Sequence, residues 1–230
     1  MSRQKFRPQM TDSERKRGWV FFALYLLVFP YLNGWVQRLW MSEGEVPIAE
    51  TNLVYYALLF TLALLVFWTF LRHAFDLLVD WLPENLFAFF TGLAGWAALS
   101  FLVGLIPLPV ESLQSLQWQQ EYFLSAGVTT MLVVVLIPLI EEILFRGLVF
   151  GSLRQYSRPL AYAVSIFIFA MASVWRYALD FGDARYLLTA LDFLPTGLAL
   201  AWCYDNGGSI WGTVALRMTI NAITLFLALH

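Results

Sequence analysis

Long apolar runs, each interrupted by a short polar or turn-forming stretch, repeat along almost the whole chain. A helix needs about 20 apolar residues to cross the hydrocarbon of a bilayer. About seven runs approach that length: Trp19–Val36, Leu53–Leu71, Leu86–Ile106, Val128–Phe150, Leu160–Leu179, Tyr186–Tyr204 and Ser209–Leu229. Two shorter stretches mix polar and apolar residues at helical spacing and are predicted to lie along the interface. In His73–Glu84, His73, Asp76 and Asp80 share one face and Phe75, Leu78, Val79 and Leu82 the other, with Pro83 closing the segment. Glu111–Tyr122 is glutamine-rich, and its Trp118 suits the headgroup region.

Composition turns this pattern into a fold class. Of 230 residues, 60% are hydrophobic and 13% charged, a balance that one soluble core of this size could not hide. The prediction is an all-α, polytopic transmembrane helix bundle of about seven spans, with the bilayer as its first partner. Lysines stop at Lys16, so residues 1–18 read as a basic arm and residues 19–230 as a single transmembrane domain. The run after the arm is too long and too aromatic for a cleaved signal peptide and is read as a retained span. Arg3, Lys5, Arg7, Arg15, Lys16 and Arg17 precede it, whereas Glu43, Glu45 and Glu50 follow. The positive-inside rule then places the N-terminus in the cytosol of a multi-pass cell-membrane protein, and the compact form suits a prokaryotic cytoplasmic membrane. Arg146, Arg154 and Arg158 fall on the same side by this count; Arg176 and Arg185, beside Asp180 and Asp183, run against it. A net charge of -2 without a further basic cluster excludes a nucleic-acid partner. The one cysteine, Cys203, excludes an internal disulfide and reads as a small buried packing residue.

Candidate chemistry begins with Glu141-Glu142-Ile143-Leu144-Phe145-Arg146 inside the fourth run. A central membrane charge costs roughly 2.5–3.5 kcal/mol even on insertion scales, so such residues face a bundle interior or a wet cavity. Neighbouring helix positions point about 100° apart, so the two carboxylates serve different partners. Glu142 precedes Arg146 by four residues, the favourable arrangement for an ion pair, which leaves Glu141 for another helix. The last run offers Arg217 and Asn221 on one face, and the fifth offers Ser173, four residues after Phe169. By this topology the groups share a site in the cytosolic half of the membrane.

The pattern Glu141-Glu142-x-x-x-Arg146 resembles the first motif of the CAAX-protease and bacteriocin-processing family (CPBP, Abi). Phe193-Leu194-Pro195-Thr196-Gly197-Leu198, Asp205-Asn206-Gly207-Gly208-Ser209-Ile210-Trp211 and Arg217-Met218-Thr219-Ile220-Asn221 resemble the order of elements that follows, giving a family-like core at about 131–225. The resemblance implies an intramembrane endopeptidase in which a glutamate of the first motif activates water, helped by two motif histidines and an asparagine. Glu141, Glu142, Arg146, Phe169 and Asn221 match that pattern. Ser173 and Arg217 stand where the histidines would, and the chain's own histidines, His73 and His230, lie outside the motifs.

These substitutions leave alternatives. Hard oxygen donors beside an arginine make a poor zinc site, so neither metal nor cofactor is expected. The first reading is a non-catalytic member that recognises membrane proteins or peptides, with Glu141 and Arg217 joined as an internal polar clamp. The second is a glutamate-dependent endopeptidase, with Glu141 as base and Asn221 and Arg217 stabilising an oxyanion. Ser173 has no histidine or lysine base to make it a nucleophile. A small transporter is a lesser reading, because the chain does not repeat glycine or proline breaks in two halves.

Overall fold

A computed structural model describes residues 9–41, 48–110 and 113–230. Arg3, Lys5, Arg7, Glu43, Glu45 and Glu111 therefore lie outside the described residues. Ten helical segments make up the bundle, and no strand occurs among the described residues. They are α1 (Asp12–Leu27), α2 (Phe29–Met41), α3 (Ile48–Val66), α4 (Trp68–Asp80), α5 (Leu82–Gly104), α6 (Leu113–Leu124), α7 (Ala126–Arg154), α8 (Arg158–Asp180), α9 (Ala184–Gly207) and α10 (Ile210–Leu229).

Five of these, α5 and α7–α10, are individually long and apolar enough to span a bilayer. Two more spans arise if each bent pair, α1 with α2 and α3 with α4, counts once, so the chain is an all-α multi-pass membrane bundle. The bends correct two expected spans. Trp19–Val36 breaks by 45° at Val28, just before Pro30, whose ring and missing N–H disfavour continuing a straight helix. Leu53–Leu71 turns by 83° at Phe67, so its last residues belong to α4.

The sharper turn is stabilised from α1. Helix α1 begins at Asp12 rather than Trp19, and Thr11 and Glu14 form a capping box at its start. The buried Glu14 carboxylate also accepts from the Phe70 N–H (2.9 Å), meeting an unsatisfied donor in the first turn of α4. From the other side, Ser209 Oγ donates to Ala74 O (2.7 Å) and Trp211 Nε1 to Leu71 O (3.1 Å), tying α4 to the start of α10. His73 and Phe75 are both exposed, while Phe70, Leu71 and Ala74 face the protein, as suits a helix lying along the interface. Pro83 does not close that segment; it occupies the first turn of α5, where its missing N–H is harmless. Trp118 of α6 is also not a headgroup anchor, being buried with Val133 and Leu225.

Helix α7 forms the centre: 61% of its apolar window is buried, against 11% for α5, which faces lipid. Lipid supplies little hydrophobic drive between helices, so close packing and hydrogen bonds decide the arrangement. At Gly147 a Cβ would sit 2.9 Å from both Met10 and Phe70, so hydrogen there lets α4 approach α7.

Candidate functional site

The site is built on an irregularity in α7. Its turns widen at Met131–Leu136 and again at Ile143–Phe150, on either side of Ile137–Glu142. Wide turns of this kind are rare and gather at functional sites. In the first of them the Ile137 N–H reaches back five residues to Leu132 O. The next donor in that register belongs to Pro138, which has no N–H, so the Val133 carbonyl loses its helical partner. Asn221 supplies the replacement, donating through Nδ2 to Val133 O at 2.7 Å.

Glu141 and Glu142 follow one turn later and diverge as their spacing predicts. Glu142 is fully buried and pairs with Arg146 (Nη1 to Oε1, 3.2 Å), while Arg146 Nη2 also donates to Gly197 O at 3.2 Å. Glu141 turns to α10, where Arg217 Nη2 donates to its Oε2 at 3.0 Å. The Arg146 and Arg217 guanidinium carbons lie 4.4 and 4.9 Å from the centre of the Phe169 ring, within cation–π range. Two ion pairs on α7 and α10 therefore meet around one aromatic side chain of α8, with no net charge. The arrangement leaves Glu142 Oε2, Arg146 Nε and Arg217 Nε buried without a protein partner.

Ser173 donates to the Phe169 carbonyl of its own helix (3.0 Å) and borders, with Glu141, a cavity of about 270 Å³. Glu141 and Arg217 also line an adjoining cavity of about 450 Å³. Asn221 lies on a different one, of about 280 Å³, which Arg217 borders as well. The structure thus brings Glu141, Glu142, Arg146, Phe169 and Arg217 together and sets Ser173 at their edge. Asn221 and Glu141 are directed into separate spaces.

Depth differs from expectation. Glu141 stands near the middle of the 29-residue α7, and its cavities lead to the end carrying Arg176, Tyr177 and Asp180. Arg154 at the end of α7 and Arg158 at the start of α8, both paired with Asp205, lie at the opposite end of the bundle. The polar groups do not favour the end that carries this basic cluster.

Sequence reading missed several residues lining the cavities, notably Tyr25, Asn33, Gln37, Asn52 and Tyr56. A signal for some of them exists: Pro30, Asn33, Gly34 and Gln37 recur at i, i+3, i+4 and i+7, a polar and small-residue stripe within an apolar run. Among the described residues, no three His, Cys, Asp or Glu side chains converge in the manner of a metal site.

Residues 123–223 match the sequence model of the family described as "Rce1-like: Type II CAAX prenyl endopeptidase Rce1-like". This segment is therefore similar to the Rce1-like family. The Rce1-like segment runs from the end of α6 into α10 and contains Glu141, Glu142, Arg146, Phe169, Ser173, Arg217 and Asn221. No curated protein and no solved structure matches the chain.

Proposed function

We propose that this integral membrane, CAAX-protease-like protein recognises membrane proteins or peptides without cleaving them. The supporting observation is the Glu141–Arg217 ion pair. A general base must offer a lone pair to the water it activates. Here a charge-assisted hydrogen bond of the strong class holds Oε2 of that carboxylate against Arg217 and keeps its charge paired. Asn221 is anchored by Val133 O and borders a different cavity from Glu141, so it is not presented to an oxyanion beside that carboxylate. No cofactor enters this reading. The proposed setting is a cell membrane with the N-terminus in the cytosol.

The second reading, a glutamate-dependent endopeptidase, draws on a different observation: Glu141 is partly exposed in a cavity of about 450 Å³, room for a short peptide segment. One assay separates the two. The full chain, reconstituted in liposomes, is incubated with a prenylated CAAX-type peptide, and the products are read by mass spectrometry. Intact peptide is the expected result. Cleavage that disappears in Glu141→Gln would overturn the proposal and establish the endopeptidase.

A further inference from the structure

The two cavities that meet at Glu141 are lined from four helices by uncharged hydrogen-bonding side chains. Helix α2 contributes Asn33 and Gln37, α3 Asn52 and Tyr56, α6 Gln114 and Gln117, and α8 Tyr177. Residues one or two turns apart on a helix share a face, so each helix turns a polar stripe inward where apolar side chains would serve packing equally well. Asn33, Gln37, Asn52 and Gln114 are half-buried there and Gln117 is exposed at the rim, and amides partly withdrawn from water are costly unless bonded. Some bond to one another: Asn33 Nδ2 and Gln37 Nε2 both donate to Asn52 Oδ1, at 3.0 and 2.8 Å, and Tyr177 OH donates to Gln117 Oε1 at 2.8 Å. These bonds fill the acceptor oxygen of Asn52 and fix the orientation of Gln117, leaving their NH₂ groups to donate into the cavity they line.

Charge narrows the ligand. The floor pair, Glu141 with Arg217, and the rim pair, Arg176 with Asp180 (4.0 Å), each sum to zero, and Glu121 alone adds a charge to the larger cavity's wall. A lining with little net sign selects for alternating donors and acceptors rather than for an ion. The carboxamide is the functional group of the peptide bond itself. Stripes on a helix repeat every 5–6 Å, roughly, and an extended chain repeats same-side groups at about 6.5 Å, so the two can run in step. A helical segment is excluded on two grounds: its main-chain groups are already satisfied, and its width of about 10–12 Å overfills a space of about 450 Å³.

We infer that this basin binds an unwound polypeptide segment through its main chain, entering from the end that carries Arg176 and Asp180 and ending at the Glu141–Arg217 pair. The inference rests on the reading that the protein recognises polypeptides, and it adds which chemical feature is read and from which side.

The test uses the full chain in nanodiscs with a capped (Gly-Ser)4 peptide bearing one photoreactive residue. A matched peptide is methylated on every main-chain nitrogen. Crosslinks to the wild-type chain are expected to map to α2, α3, α6 and α8. Yield at limiting peptide is expected to fall at least roughly tenfold on N-methylation, the equivalent of one or two lost hydrogen bonds. A similar fall is expected in the Asn52→Leu, Gln117→Leu double variant. The N-methyl comparison requires no change to the protein, so a misfolded variant cannot mask the answer. Equal crosslinking by both peptides would overturn main-chain recognition while leaving peptide binding intact. Displacement by maltohexaose would also overturn it, assigning the basin to a carbohydrate.

Discussion

At the scale of single residues, the site pairs each buried charge with an opposite one, although Glu142 Oε2, Arg146 Nε and Arg217 Nε keep no protein partner. Breaking a buried ion pair from one side can cost about 3–5 kcal/mol because the surviving charge is stranded, though Glu141's contact with its cavity reduces that figure. Arg217→Leu is therefore expected to lower the melting temperature in detergent by several degrees, and adding Glu141→Gln to recover part of the loss. If the double variant melts no higher than Arg217→Leu, the two side chains do not act as a pair. Asn221 gives a sharper case. Asn221→Leu strands the Val133 carbonyl, a loss of about 1–3 kcal/mol. Pro138→Ala returns an N–H to the backbone near that carbonyl, so the same substitution is expected to cost less in a Pro138→Ala background. Additive losses in the thermal denaturation of the four proteins would refute this account of Asn221.

At the scale of elements, two joints shape the bundle, and neither is visible as hydropathy. Glu14 is the clearest example: in sequence it belongs to a polar arm, yet it caps its own helix and α4, 56 residues away. Helix caps are worth about 0.5–2 kcal/mol each, so Glu14→Ala is expected to destabilise the protein by more than a typical single-cap loss, read as a lowered detergent melting temperature. Gly147→Ala would push a methyl group against Phe70, and overpacking of this kind costs about 1–3 kcal/mol. Phe70→Leu is expected to relieve it in the same measurement.

The Glu142–Arg146 pair was legible in sequence because its four-residue spacing is a property of any helix. The partner of Glu141 was legible because few other charges lie inside the spans. What sequence concealed depends on tertiary position. Asn221 reads as a catalytic asparagine by motif, and only the widened turn before Pro138 reveals the carbonyl it serves. Trp118 reads as an interfacial anchor, and its burial depends on α6 folding under α10. The bends at Val28 and Phe67 lie inside apolar runs, where a length criterion registers only one continuous span.

At the scale of the whole molecule, orientation can be read chemically, because the native thiol, Cys203, is fully buried and should stay silent toward maleimides. Tyr156 lies in the exposed turn beside Arg154 and Arg158, and Gln120 is exposed at the cavity end. In intact cells, Gln120→Cys is expected to react with an impermeant maleimide, and Tyr156→Cys only after permeabilisation. The reverse pattern would place the N-terminus outside. The 83° joint after α3 also has a consequence for the surrounding lipid. Between Leu53 and Val66 the apolar part of that helix rises only about 21 Å, short of the roughly 30 Å of an ordinary hydrocarbon layer. Helix α4 then runs sideways, with Phe75 and Val79 exposed. Acyl chains along that flank are expected to draw in to meet it, which would leave the bilayer thinner on one side of the molecule and favour short-chain lipids there.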